Sequence, residues 1–219
     1  MLVDLSRTIT ANMMQVATFP PVEVCRIRSL AEGAPTNVQA LRLTGHSGTH
    51  IDAPLHVLDG AASIEQLPLE RFIGPGVVLA VHKAPRALID AADLEAAAQG
   101  RVRPGDMVFL YTGWDERYGT PAYLTDYPAL TLAAADWLLE HGVRLLALDC
   151  LSPDLPPERR DPEVGLPVHR RLLGNGVLIA ENLTGLGALV GRRLQVYAFP
   201  IKIDAGDGAP ARITAEIVA

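Results

Sequence analysis

Eleven consecutive residues, His46-Ser47-Gly48-Thr49-His50-Ile51-Asp52-Ala53-Pro54-Leu55-His56, hold three of the chain's six histidines and a carboxylate. Imidazole nitrogen and carboxylate oxygen are ligands for borderline divalent cations, and this density of them points to a metal centre. All four of these side chains sit at even positions, so an extended chain would send them out on one face. Ser47, Thr49, Ile51, Ala53 and Leu55 make the other face small or apolar, as a buried backing would be. A helix would also pair His46 with His50, at i and i+4. Gly48, the β-branched Thr49 and Ile51, and Pro54 argue against a helix. Position 47 is also Ser, not the Glu of a helical His-Glu-x-x-His zinc site. A straight strand fails on distance: at ~3.3 Å per residue, His46 and Asp52 would stand roughly 20 Å apart. Sharing one ion through bonds of ~2.0–2.2 Å requires the chain to curl, and Gly48 is the residue that lets it. The spacing therefore predicts a bent ligand loop at the end of a strand.

Periodicity and punctuation give the elements that must hold this loop. Residues 22–30 and 38–44 read as strands around a Gly33/Pro35 turn, the second leading into the ligand loop. Residues 77–81, 107–111 and 145–148 are short apolar runs, as buried strands are. Residues 2–9, 177–180, 192–202 and 212–218 complete the expected strands. Residues 63–74 form a connection with a short helical piece. Asp90 can cap a helix reaching about Gln99, and Thr131 one reaching His141, each followed by glycine. Residues 166–173 read as a short helix carrying His169, and strand 177–180 delivers Glu181. Residues 113–128 form a long loop of the kind that walls pockets, with Trp114 and Tyr118 either lining a pocket or anchoring the loop. Residues 149–154, polar and at a strand end, are placed as α/β sites often are. Cys150 reads as buried filler, and His82 and His141 as structural. This succession, without strict βα alternation, indicates an α+β or mixed α/β fold.

With 219 residues, 49% of them hydrophobic, the chain is long enough for one substantial core, and one domain over 1–219 is expected. The net charge of −6 and the absence of a basic run argue against nucleic acid as a partner. No apolar stretch approaches the ~20 residues that span a bilayer. Asp4 stands where a signal peptide would be basic, and Cys25 and Cys150 have no metal-type spacing. A cytoplasmic protein without membrane contact is expected. There is no Gly-x-Ser-x-Gly nucleophile elbow and no phosphate-binding glycine loop.

The pattern His-x-Gly-Thr-His-x-Asp-x-Pro-x-His resembles the signature of the cyclase family of metal-dependent hydrolases, which includes bacterial kynurenine formamidases and isatin hydrolases. The resemblance continues through Asp59-Gly60, Leu67-Pro68-Leu69-Glu70, Ile73-Gly74, Thr112-Gly113-Trp114, Asp149-x-x-Ser152-x-Asp154, His169 and Glu181-Asn182-Leu183. It implies a swivelling β/β/α, barrel-like domain. It also implies two ions, one held by His46, His50, Asp52 and Glu181, the other by Asp52, Glu181 and His169. The two shared carboxylates would bridge, as a group with two oxygens can and an imidazole cannot. Ligands without thiolate suit Zn²⁺ or Mn²⁺. The resemblance further implies that His56 is the acid/base group, that Phe19 contacts substrate where formamidases carry tryptophan, and that the partner is a small-molecule amide. The best single substrate on this basis is N-formyl-L-kynurenine, with a cyclic amide or lactone as the alternative. A homodimer is the expected assembly. A binding protein without catalysis is the competing class, against which the intact ligand set and His56 speak.

Overall fold

The structure, a computed structural model, describes residues 1–218. Its centre is four parallel strands, β5 (Ile73–Ala80), β7 (Met107–Tyr111), β9 (Leu145–Leu148) and β10 (Leu178–Glu181), side by side in that order. Ahead of them in the chain come β1 (Leu2–Asp4), the hairpin β2 (Glu23–Arg28) and β3 (Val38–Arg42), and β4 (His50–Asp52). Val77–Leu79, Val108–Leu110 and Leu145–Leu148 have no exposed surface. Strands buried on both faces read as continuous apolar runs. The crossovers carry α1 (Ala91–Ala98), α2 (Ala122–Thr125), α3 (Leu132–Glu140) and α4 (Pro167–Leu173), and β6 (Leu88–Ile89) pairs with β8 (Ala129–Leu130) in a small separate ladder. Asp90 and Thr131 cap α1 and α3 through their side chains, as the sequence predicts.

Antiparallel strands close the sheet into a barrel. β11 (Arg193–Pro200) pairs with β5, β12 (Gly208–Ile217) with β11, and β4 bridges β12 to β10. The ring of seven strands is complete because β12 is ten residues long. Its first residues pair with β4 and its last with β1 along the same edge. The mixed α/β, barrel-like architecture implied by the resemblance is thus present. Three expectations shift. The strand expected over 2–9 forms only at Leu2–Asp4. β12 starts at Gly208, not at residue 212, because β4 supplies a partner that outweighs the poor strand residues Gly208 and Pro210. The strand at 38–44 ends at Arg42 and pairs only with β2, outside the barrel. No helix among the described residues is long and apolar enough to cross a membrane.

Candidate metal centre

The floor of the site follows from the register of β4. Against β10, His50 stands opposite Glu181, and Asp52 opposite Ile179. Directly opposed residues of an antiparallel pair share a face, as do alternate residues of one strand. His50, Asp52 and Glu181 therefore emerge together, all buried. The chain turns at Gly48, whose φ is +66°, and brings His46 back over Asp52, with Nδ1 2.7 Å from Oδ1. Immediately after β4, the 3-10 turn Pro54–His56 carries His56 to a ring separation of 4.1 Å from His46. The predicted curl is there, at the predicted glycine.

His169 arrives from α4. Its Nε2 lies 3.4 Å from Asp52 Oδ2 and 3.2 Å from Glu181 Oε1. His50 Nε2 lies 3.3 Å from Asp52 Oδ1 and 3.4 Å from Glu181 Oε2. Each carboxylate thus turns one oxygen to His50 and the other to His169. Two atoms bound at ~2.0–2.1 Å to a tetrahedral ion are themselves about 3.4 Å apart, a spacing these four separations would suit. Buried and without hydrogen-bond partners are His50 Nε2, Asp52 Oδ2 and Glu181 Oε1. An unpaired buried polar atom costs about 1–3 kcal/mol, and more when charged. Two of them, Asp52 Oδ2 and Glu181 Oε1, face His169 Nε2, and the third, His50 Nε2, faces the other two carboxylate oxygens, a grouping that could hold divalent cations.

The outward nitrogens of the ligand rings are held from behind. His50 Nδ1 donates to the Gly48 carbonyl (2.9 Å), His169 Nδ1 sits 2.6 Å from Asp154 Oδ2, and His46 Nε2 sits 2.9 Å from Asp207 Oδ2. The same Asp207 oxygen lies 3.3 Å from His56 Nδ1. Such partners fix tautomer and ring orientation. Asp154 also accepts from the backbone N–H of Val168 and His169, capping α4 from another segment. Gly208 lets the His46 ring lie close, since a Cβ there would stand 2.8 Å from His46 Cε1.

Charge in this pocket is strongly one-sided. Burial opposes protonation of His46, yet Asp207 and Asp52 outweigh it and lift the imidazole to about 9. Burial likewise opposes protonation of His50, and Asp52 and Glu181 lift it to about 10. His169 rises in the same way through Asp154, Asp52 and Glu181. His56 goes the other way, lowered first by burial, with Asp52 only partly restoring it.

These residues open onto a cavity of about 390 Å³. Phe19 lines it, half-buried, its ring 6.2 Å from that of His46. The 113–128 loop contributes Tyr127. Trp114 and Tyr118 are the anchors: Trp114 Nε1 donates to the Tyr123 carbonyl, and Tyr118 packs between Arg7 and Tyr123. Within 149–154, Asp149 accepts from four donors, the backbone N–H groups of Thr112, Gly113 and Trp114 and the Thr112 hydroxyl. Burial raises Asp149 to about 6 against those bonds. Cys150 is fully buried, and burial pushes its thiol up, away from nucleophilic use. His82 and His141 lie outside the cavity against backbone carbonyls.

Residues 3–155 match the family model described as "Putative cyclase". The chain belongs to the cyclase family. Across 96% of its length it is 32% identical to the kynurenine formamidase of Salinibacter ruber, covering 95% of that protein. Its fold superposes on an isatin hydrolase bound to the product analogue thioisatinate with a TM-score of 0.87, at 25% identity over 98% of this chain and 91% of that one. A potential metal-dependent hydrolase with cyclase activity gives 0.77, at 26% identity over 98% and 96%. This cyclase-family chain is therefore similar to hydrolases throughout. Sequence reasoning left Asp154 without a role and missed Asp207. Asp154 sat in a matched stretch but had no visible partner. Asp207 sits in a Gly-Asp-Gly turn that gives no sign of chemistry.

Proposed function

We propose that this chain is a metal-dependent amidohydrolase acting on a small aryl amide, with N-formyl-L-kynurenine, cleaved to formate and L-kynurenine, as the first substrate to test. The observation that carries the reading is the pair of buried carboxylates, each directing one oxygen toward His50 and the other toward His169. Two Zn²⁺ ions, or Mn²⁺ in their place, would be held one by His50, Asp52 and Glu181 together with His46, whose Nδ1 here lies 2.7 Å from Asp52 Oδ1, and the other by Asp52, Glu181 and His169. Such ions supply Lewis acidity, which polarises a carbonyl and makes water nucleophilic near neutral pH.

The remaining work belongs to the chain. Phe19, Tyr127 and the apolar walls hold an aryl ring and exclude bulk water. His56, kept neutral by burial, takes a proton from the attacking water and returns it to the departing nitrogen, the step that amide cleavage requires. Asp207 holds His56 Nδ1, leaving Nε2 for that transfer. The likeness to an isatin hydrolase supports a second substrate class, the cyclic amides. Metal analysis of the purified protein, with turnover of N-formyl-L-kynurenine and of isatin after Zn²⁺ or Mn²⁺ loading, tests the reading. About one to two equivalents of metal and formate release are expected. Metal-loaded protein that cleaves neither compound would leave a binding protein in its place.

A further inference from the structure

The catalytic cavity does not stop at His56. Three of its lining side chains, His56, Arg160 and Leu166, also line a second cavity of about 510 Å³, together with Leu58, Asp59 and Arg170. The two cavities share a wall, and the outer one carries charges of both signs.

Arg160 Nε and Nη2 donate to the Leu155 carbonyl at 3.0 and 2.7 Å. This aims the guanidinium and leaves Nη1 without a hydrogen bond among the described residues. Arginine stays charged at any working pH. Among the described residues, the arginines in side-chain ion pairs are Arg42, Arg86, Arg171, Arg193 and Arg212. Arg160 and Arg170 are not among them. A guanidinium is built to take a carboxylate through two parallel N–H bonds. Asp59 adds the opposite charge to the same cavity. An α-amino acid head, with carboxylate and ammonium on one carbon, complements that set. A bare aryl amide or a cyclic amide offers it nothing.

We propose that the outer cavity is the subsite for the amino-acid head of an aryl formamide whose formyl group lies at the metal ligands, with Arg160 and Arg170 selecting such substrates over bare aryl amides. The proposal rests on the hydrolytic reading of the inner site. Metal-loaded wild type, R160Q, R160K, R170Q and D59N are assayed on N-formyl-L-kynurenine and on 2-formamidoacetophenone, which keeps the aryl ketone and lacks the amino acid. The readout is the ratio of the two kcat/KM values. Loss of a charge-assisted bond lowers that ratio by about tenfold or more in R160Q and R170Q, and R160K recovers part of it. D59N gives a smaller drop. Arg170 is exposed, so R170Q tests the idea even if R160Q disturbs the Leu155 contact. A ratio within twofold of wild type in both glutamine variants overturns the proposal. Fluorescence titration with L-kynurenine and 2-aminoacetophenone reads the same preference without turnover. Arginine-dependent binding of L-kynurenine by a protein that cleaves neither formamide would sink the hydrolytic reading and keep the subsite. Cleavage of both formamides at equal efficiency by wild type would do the reverse.

Discussion

The floor and the roof of the cavity are built in different ways. The floor is His50 and Asp52 on β4, Glu181 on β10 and His169 on α4, with the outward ring nitrogens pinned by the Gly48 carbonyl and by Asp154. The roof comes from irregular chain: Val16, Thr18 and Phe19 on one side, Leu151, Pro157, Arg160 and Leu166 on the other. Strand register leaves His50, Asp52 and Glu181 one arrangement, whereas loop side chains can be exchanged without moving them. On the hydrolytic reading, the barrel sets the kind of chemistry and the loops laid over it the choice of substrate.

The comparison can be broken most directly at the floor. Glu181→Ala removes one of the two paired carboxylates, and we expect metal content by elemental analysis to fall below half of wild type and turnover to fall at least about 10³-fold. Retention of full metal and activity would show that the floor does not depend on its carboxylate pair. His56→Ala should keep its metal and lose about 10²–10⁴-fold in kcat, the usual worth of a positioned proton donor. Unchanged turnover at full metal content would remove His56 from the chemistry. Asp154→Asn leaves every ligand in place but loosens the hold on His169. Metal affinity, from chelator competition, should weaken about 10–100-fold, and an unchanged affinity would make Asp154 a helix cap alone.

Protons provide a milder probe of the same floor. His46 and His50 are lifted to about 9 and about 10, from the ordinary ~6.5 of histidine. Raised values in the folded state mean that their contribution to stability is complete below pH ~6.5 and is lost as the pH climbs through those values. A metal must displace the same protons. Between pH 7 and 9, metal affinity should therefore rise by roughly tenfold per unit for each proton displaced, while the metal-free protein loses melting temperature and the loaded protein does not. A pH-independent affinity would contradict the charge balance of the pocket. The smallest effect belongs to the roof. Phe19→Trp should shift KM for an aryl formamide by only about two- to twelvefold with kcat nearly constant, since ring contacts of this kind add about 0.5–1.5 kcal/mol. A collapse of kcat would mean that the roof does take part in the chemistry.

Much of this was legible in the chain before folding was considered. Ligand types at close spacing point to a metal loop, because few other roles gather three imidazoles and a carboxylate in eleven residues, and the structure brings those side chains together. The buried parallel strands were visible as apolar runs, and α1 and α3 through their capping residues. What stayed hidden was whatever depends on a partner far away in sequence. Asp154 orients a ring fifteen residues on, and Asp207 reaches His46 across 161 residues. A lone aspartate in a turn looks the same whether it faces water or an imidazole. The start of β12 lies four residues before the expected one for the same reason, because its first pairing partner is β4.

By itself, then, the sequence determined the histidine-rich loop, its bend at Gly48, the apolar strands and the family resemblance, since each is written in neighbouring residues. Only the tertiary structure decided that β4 sits between β10 and β12, so that Glu181 faces His50, that Asp207 spans His46 and His56, and that two cavities meet at Arg160. Local propensity acts over a few residues, whereas closing a seven-stranded ring brings together side chains that no local rule connects.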